Sequence, residues 1–271
     1  MDTLFDGLDS DLRLALASQL RDLWTHTSTA LEGNTLTLGE TAFVLREGLT
    51  VSGKPLKDHN EVMGHAKAIG LLYKLLDSRK TVNEADLFNL HRAVQTNITI
   101  DIYSPVGAWK REPNGTHATV DGRQVFIEFA PPADVPPLMA AWLALLNGYL
   151  VQALNEEEAL SAYAVLHLAF VRIHPFFDGN GRMARLLANL PVLNAGLPPI
   201  PIDRTRRQDY LSCLASYDLQ AGTQRAGQQL PVTDTKLEQF LEFCRECWQP
   251  SKDLVAEMRR VQAVRIVGRP E

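Results

Sequence analysis

A segment that is apolar on nearly every side limits the folds open to this chain. Residues 160–173 read LSAYAVLHLAFVRI, and Asn155 supplies an N-cap for a helix from residue 156 to about residue 172. A helix with apolar residues all round must be buried on all sides. Its main polar residue, His167, is interpreted as a hydrogen-bonded core histidine. The sequence therefore predicts one central helix with other elements packed around it.

Helical periodicity also dominates most of the remaining chain. Leucines at helical spacing predict a helix over residues 12–23, and a second helical stretch reaches residue 31, where Glu32 and Gly33 end it. Capping boxes at Thr37 and Thr81 predict two further helix starts. Pro191 should kink or end the helix that contains it. Other helices are expected over residues 61–76, 85–94, 138–150, 182–194, 205–219 and 235–248.

The pattern changes to β in the middle of the chain. Two short β-prone runs, residues 116–120 and 124–129, flank the dipeptide Asp121-Gly122. Asp-Gly between two such runs is typical of a tight hairpin turn. The predicted fold class is therefore all-α, a helical bundle with a small β-hairpin.

Charge and hydropathy narrow the choice of partners. The 271 residues include 27 Lys and Arg against 32 Asp and Glu, a formal net charge of -5, which gives no overall attraction to nucleic acid or to an anionic membrane. The N-terminal segment has no apolar run behind basic residues, and no run of about 18 apolar residues occurs. We therefore expect a soluble, cytoplasmic protein that binds neither nucleic acid nor membrane.

Two of the three cysteines, Cys244 and Cys247, form a CxxC pair. This spacing is found in redox and zinc sites, which also need a βαβ setting or a second pair of ligands. The sequence shows neither. Small buried thiols on a helix face are the simpler interpretation, and the role of the pair stays open.

One short segment after the central helix combines several groups that suit a polyphosphate. It reads HPFFDGNGRMAR, residues 174–185. Gly179 and Gly181 allow positive φ and close approach of the backbone, and the N–H groups of a helix N-terminus favour an anion. Arg182 and Arg185 lie three residues apart on one helix face, so both guanidinium groups can reach one chain of phosphates.

The remaining polar residues of this segment suit group transfer. Asn180 can donate to a phosphoryl oxygen. Asp178 offers the hard oxygen that Mg²⁺ prefers when phosphates and water complete its shell. His174 remains for proton removal, because its unperturbed pKa of about 6.5 makes it a usable base near neutral pH.

These residues resemble the Fic family, whose motif HPFx(D/E)GNGRxxR is matched at every specified position. The resemblance implies a Fic-type helical bundle that transfers AMP from ATP to a protein hydroxyl and releases pyrophosphate. It implies that His174 is the base, that Asp178 binds Mg²⁺, and that Phe176 anchors the loop in the core. The phosphate-binding residues implied are Gly179, Asn180 and Gly181 as an anion hole, with Arg182 and Arg185 as clamps for the β- and γ-phosphates.

The region before the central helix is similar to the flap of the same family. GAW is followed by the hairpin and by FAPPADVPPLM. In the family this flap receives an extended segment of the target as an added strand. The resemblance implies that residues 115–129 dock the target, and the docking residues expected are Thr116, His117, Ala118, Thr119 and Val120. His117 is interpreted as a surface residue without a catalytic role.

A second pattern near the N-terminus is similar to the inhibitory helix of the family. STALEGN, residues 28–34, matches (S/T)xxxE(G/N) through Ser28, Glu32 and Gly33. The resemblance implies that Glu32 pairs with Arg185, so that this arginine cannot hold the γ-phosphate in a productive position. The alternative is an ordinary exposed glutamate at a helix end.

Three functions follow from these observations. The first is an autoinhibited protein adenylyltransferase that uses MgATP, and Gly181 with the arginine pair favours AMP over other phosphate-containing groups. The second is removal of AMP from a modified protein, and the third is a nucleotide-binding regulator without turnover. The expected domains are residues 1–36 with the inhibitory helix, the Fic core over 37–249, and a helical tail over 250–271. The target protein, the choice among Ser, Thr and Tyr, self-modification and a homodimer stay open.

Overall fold

The fold is known from a computed structural model that describes residues 4–96, 105–120, 123–231 and 235–267. Its helices are α1 (Ser10–Ala30), α2 (Leu38–Glu47), α3 (Leu56–Ser78), α4 (Glu84–Val94), α5 (Val135–Leu150), α6 (Glu156–Ile173), α7 (Asn180–Leu187), α8 (Asn189–Asn194), α9 (Arg207–Ala221) and α10 (Thr235–Val267). Strands β1 (Gly115–Val120) and β2 (Arg123–Glu128) pair antiparallel. The predicted all-α fold with a small hairpin is confirmed. None of the described helices combines the length and the apolar composition needed to cross a bilayer.

Helix α6 is the predicted central helix. Asn155 caps it, because its side chain accepts from the backbone N–H of Glu158 at 3.0 Å. Every residue from 166 to 173 is buried, and helices α5, α7, α8 and α10 pack against α6. His167 is buried among them, with its Nε2 3.2 Å from the hydroxyl of Tyr210. The end of α6 therefore has a fixed position, and this fixes the point at which the motif loop begins.

Two predicted boundaries in the N-terminal third are wrong. The two helical stretches expected up to residue 31 form the single helix α1, since no residue between them interrupts the hydrogen-bond ladder. The sequence predicts Thr81 as the N-cap of α4, but the N-cap is Asn83. Its side chain accepts from the N–H groups of Ala85 and Asp86. The carboxylate of Asp86 accepts in turn from the N–H of Asn83 at 3.0 Å, which completes the capping box.

Pro191 and Pro250 act differently on the helices in which they lie. The single helix expected over residues 182–194 is divided, as Pro191 predicts: α7 ends at Leu187, whose carbonyl a proline ring four residues later would strike. Pro250 instead lies inside α10, which runs from Thr235 to Val267 without a break. The distal part of α10 continues because Leu254, Val255, Met258 and Val261 pack against Leu12, Leu16 and Leu20 of α1 and against Leu4 and Leu8 just before it.

The hairpin lies over α9, and both cysteines of the CxxC pair lie in α10. Strands β1 and β2 contact α9, with Ile127 buried against Ala215. The predicted Asp121-Gly122 turn lies outside the described residues. Cys244 and Cys247 are buried, and burial raises the pKa of Cys247 to about 12. In the described part of the chain no group of three His, Cys, Asp or Glu side chains is placed to hold a metal ion.

Candidate active site

His174 ends helix α6 and begins the motif loop. Its φ of 50° is left-handed, so the chain turns sharply there. Nδ1 lies 3.1 Å from the carbonyl oxygen of Val171, and since a carbonyl only accepts, Nδ1 donates and Nε2 keeps its lone pair. The ring stacks on Phe129 at 3.8 Å with an interplanar angle of 3°. Burial lowers the pKa of His174 to about 3, so the imidazole is neutral at physiological pH.

The N-terminus of α7 forms the floor of the site. Gly179 precedes this helix with a φ of 78°, a conformation that suits glycine. The N–H groups of the first helical turn have no partners within the helix and favour an anion. A Cβ on Gly181 would lie 2.7 Å from Oε1 of Glu32 and 3.1 Å from Nη1 of Arg185. A Cβ at residue 181 would therefore displace the ends of these two side chains from the loop.

Arg185 is almost fully buried at the junction of α7 with α1. Its Nη2 donates to Oε1 of Glu32 at 2.6 Å and to the carbonyl of Ser28 at 2.9 Å, and its Nε donates to the hydroxyl of Ser28 at 3.2 Å. Burial opposes ionisation of Glu32, but the charge and hydrogen bond of Arg185 outweigh it and lower the pKa of Glu32. The structure thus brings the predicted Glu32–Arg185 pair together. Gly33 follows with a φ of 97° and ends the turn after α1.

Asp178 and Arg182 lie on the other side of the loop and share one neighbour. Gln95, just after α4, donates to Oδ2 of Asp178 at 2.7 Å and accepts from Nη2 of Arg182 at 3.0 Å. The side chain of Asp178 is 60% exposed, so its carboxylate can reach a cation in the cleft. A single carboxylate beside a phosphate site matches the way Mg²⁺ is held with phosphates and water.

The side chain of Asn180 also holds the motif loop together. It is buried, and its Oδ1 accepts from the N–H of Phe176 at 2.9 Å while its Nδ2 donates to the carbonyl of Phe176 at 2.8 Å. The amide thus binds both backbone groups of Phe176 inside the loop. Phe176 is fully buried, as expected of a core anchor.

Replacing Asn180 with alanine should destabilise the protein by about 1–3 kcal/mol, because both backbone groups of Phe176 would lose a buried partner. Urea denaturation of the two proteins measures this difference. Asn60, an exposed residue of α3, provides the matched control, and its replacement should change the stability by less than about 0.5 kcal/mol. Equal stabilities for Asn180→Ala and Asn60→Ala would contradict the role of the amide.

One cleft of about 570 Å³ contains the reactive side of this loop. That volume suits a small-molecule ligand, whose sites span about 300–1,000 Å³. The predicted residues that line the cleft are Glu32, Thr116, His117, Ala118, His174, Asp178, Gly179, Asn180, Gly181, Arg182 and Arg185. His117 is exposed within β1 and the side chains of Thr119 and Val120 lie outside the described part of the structure. Ser28 is buried behind Arg185.

Several neighbours of the motif loop could not be identified in the sequence. His91 stacks on Phe176 at 3.8 Å, accepts from the N–H of Gly107, and places its Nε2 3.0 Å from the carbonyl of Asp178. Gln95 also belongs to no sequence pattern that would mark it as a site residue. Each is a single polar residue distant from residues 174–185 in the chain, so only the fold brings it to the site.

Comparison with known proteins gives consistent matches. The model of the Fic/DOC family matches residues 81–192. The chain is 33% identical over 208 residues to the protein adenylyltransferase fic-1 of Caenorhabditis briggsae, and 30% identical over 234 residues to the protein adenylyltransferase Fic of Drosophila grimshawi. These matches cover 74% and 84% of this chain but 38% and 41% of the relatives, so the chain spans about two fifths of their length.

Solved structures extend the likeness to nearly the whole chain. A Fic domain containing signaling protein from Bacteroides thetaiotaomicron has a TM-score of 0.80 and 27% identity, covering 94% of this chain and 92% of that one. A fragment of Fic-1 from Caenorhabditis elegans has a TM-score of 0.67 and 25% identity, covering 96% of this chain and 68% of that one. The chain is therefore similar to these proteins both in fold and in the segment that contains the cleft.

Proposed function

This chain belongs to the Fic/DOC family, and from that premise we propose that it is a protein adenylyltransferase, which transfers AMP from ATP to a hydroxyl side chain of a protein. The single observation that carries the proposal is the cleft itself. It holds a neutral imidazole, a helix N-terminus and two guanidinium groups on one side of the molecule. These are the groups that an in-line phosphoryl transfer requires.

The reaction follows from the positions of these groups. Nε2 of His174 takes the proton of the target hydroxyl, and the oxygen attacks the α-phosphorus of ATP. The bond from that phosphorus to the oxygen that bridges to the β-phosphate breaks, and pyrophosphate leaves. Arg182 and Arg185 neutralise the charge of the β- and γ-phosphates, with the N–H groups of the loop beside them. Asp178 would hold Mg²⁺, which supplies further charge neutralisation of the phosphates when bound.

We also propose that the hairpin docks the target. Thr116, His117 and Ala118 border the same cleft as His174. A two-stranded sheet offers backbone N–H and carbonyl groups to an extended segment, which can add to it as another strand. The hydroxyl of such a segment would then lie near the imidazole. The proposed target is a Ser, Thr or Tyr side chain of a protein.

The proposed domain limits rest on the sequence. Residues 1–36 with the inhibitory segment, a core over 37–249 and a tail over 250–271 remain our proposal. Helix α10 crosses the limit at residue 250 without a break, so the tail is a continuation of the core helix. The cytoplasmic location also remains a prediction.

Two other activities would use the same residues. Removal of AMP from a protein would need Glu32 to orient a water molecule, and this carboxylate does border the cleft. A regulator without turnover would bind ATP and catalyse no reaction. The neutral imidazole beside the phosphate site favours turnover, because binding alone needs no base.

Mass spectrometry distinguishes these activities. After incubation of the Glu32→Gly variant with MgATP and a cell extract, proteins in the mixture should gain the mass of AMP on hydroxyl side chains. ATP with a methylene group between its α- and β-phosphates is the control and should give no gain, because the bond that must break is absent. Loss of AMP from an already modified protein incubated with the unaltered chain, which keeps Glu32, would favour removal. No change with either protein would favour the regulator.

A further inference from the structure

A buried lysine lies beside the motif loop and outside the cleft. Lys110 belongs to the segment before β1, and only 3% of it is exposed. Its backbone N–H donates to the carbonyl of Pro175 at 2.8 Å. Its Nζ donates to Oδ1 of Asn114 at 2.6 Å and to the carbonyl of Ile173 at 3.3 Å. Lys110 therefore holds the carbonyl groups on both sides of His174.

Asn114 extends this contact in two directions. Its Nδ2 donates to the carbonyl of Phe176 at 3.2 Å. Its backbone carbonyl accepts from the N–H of Phe129 at 3.1 Å, and the ring of Phe129 is the one that stacks on His174. The pair thus fixes the backbone around the imidazole and also the aromatic ring against which the imidazole lies.

The fold alone does not account for an ammonium group in this place. Charged side chains are rarely buried unless they are paired, and no carboxylate of the described residues forms an ion pair with Lys110. Burial lowers the pKa of Lys110 to about 8. His174, meanwhile, has the left-handed φ that residues other than glycine keep only when their surroundings enforce it. The carbonyl groups bound by Lys110 lie directly on either side of that residue.

We propose that Lys110 and Asn114 are positioning residues that hold the imidazole of His174 in one orientation and one tautomer, with Nε2 directed to the target hydroxyl. The proposal rests on the proposed function, since it names what prepares the base for that reaction. Neither side chain lines the cleft, so neither is expected to contact ATP. Both act through His174.

The first test is kinetic and uses the Glu32→Gly protein as parent. Lys110→Met keeps the aliphatic stem and removes the ammonium, and it should lower kcat by roughly 100-fold, the loss that a misplaced catalytic group can cause. The Kd of ATP should change less than about threefold, because the phosphate site is intact. Lys110→Arg should restore part of kcat. Lys67→Met, at an exposed position of α3, is the matched control and should leave kcat unchanged.

The second test does not depend on AMP transfer. The measurement is NMR of protein with ¹⁵N-labelled histidine. The ring signals of His174 are those that disappear in His174→Ala. They should show a single tautomer with a proton on Nδ1, and Lys110→Met should give the averaged signals of two tautomers. Asn114→Ala, a smaller change, should do the same and replaces Lys110→Met if that variant does not fold.

The outcomes separate the two proposals. A single Nδ1–H tautomer retained in Lys110→Met or Asn114→Ala would overturn the positioning role, and so would an unchanged kcat in a parent that transfers AMP. A parent that transfers no AMP would count against the proposed function, and the tautomer would still decide whether Lys110 and Asn114 position the imidazole.

Discussion

Replacing Glu32 with glycine should raise the rate of AMP transfer at least about tenfold. The carboxylate of Glu32 lies 2.6 Å from Nη2 of Arg185, the group that would otherwise hold the γ-phosphate. A hydrogen bond between charged groups contributes about 1.5–3 kcal/mol, and about 1.4 kcal/mol corresponds to a factor of ten. Since 41% of the Glu32 side chain is exposed, we take the lower end of that range. Transfer of label from ATP to protein measures the rate.

Arg185 should stay in place when Glu32 is removed. It keeps its bonds to Ser28 and a longer contact with the hydroxyl of Tyr210. Glu47→Gly is the matched control, because Glu47 is also an exposed glutamate that precedes a glycine at a helix end, and its replacement should leave the rate unchanged. Equal labelling by Glu32→Gly and Glu47→Gly would show that Glu32 does not inhibit AMP transfer.

Replacing His174 with alanine should lower AMP transfer by about 10²–10⁴-fold, the contribution of a general base. The Kd of ATP should change little, since the helix N-terminus and the guanidinium groups of Arg182 and Arg185 are untouched. The comparison is made in the Glu32→Gly protein, where transfer is fast enough to measure such a loss. ATP binding is measured by calorimetry and transfer with labelled ATP.

The pH profile of the parent gives an independent check on the same residue. Because burial lowers the pKa of His174, the base stays unprotonated as the pH falls below the ordinary value of about 6.5. Transfer should therefore persist below pH 6.5 before protonation of the imidazole stops it. Undiminished transfer by His174→Ala would rule out this residue as the base, whatever the profile.

The sequence predicted those features whose signal is local and continuous. The apolar run of α6 can only be a buried helix, and the motif over residues 174–185 is one short segment whose members must lie together. The pairing of Glu32 with Arg185, distant in the chain, was implied by the family pattern and not by any spacing. The bonds of the Asn180 side chain to Phe176 could not be predicted, since an amide that suits a phosphate equally suits the backbone of its own loop.

Other features depend on contacts between distant parts of the chain. Thr81 and Asn83 both favour a helix start, and no local rule chooses between two capping residues so close together. Pro250 argues locally for a helix end, but apolar packing against α1 outweighs the loss of one hydrogen bond. Lys110 and Gln95 carry no pattern at all, because a single polar residue becomes meaningful only through what the fold places beside it.

The left-handed backbone of His174 favours glycine for stability, whereas the proposed base requires histidine. A residue with a side chain loses about 1–2 kcal/mol in this conformation, and glycine would lose much less. Selection for stability alone would therefore favour glycine at residue 174, and a chain that had lost its target would be free to acquire it. The His174→Gly chain should therefore be the more stable one, and it would lack the imidazole that faces the cleft.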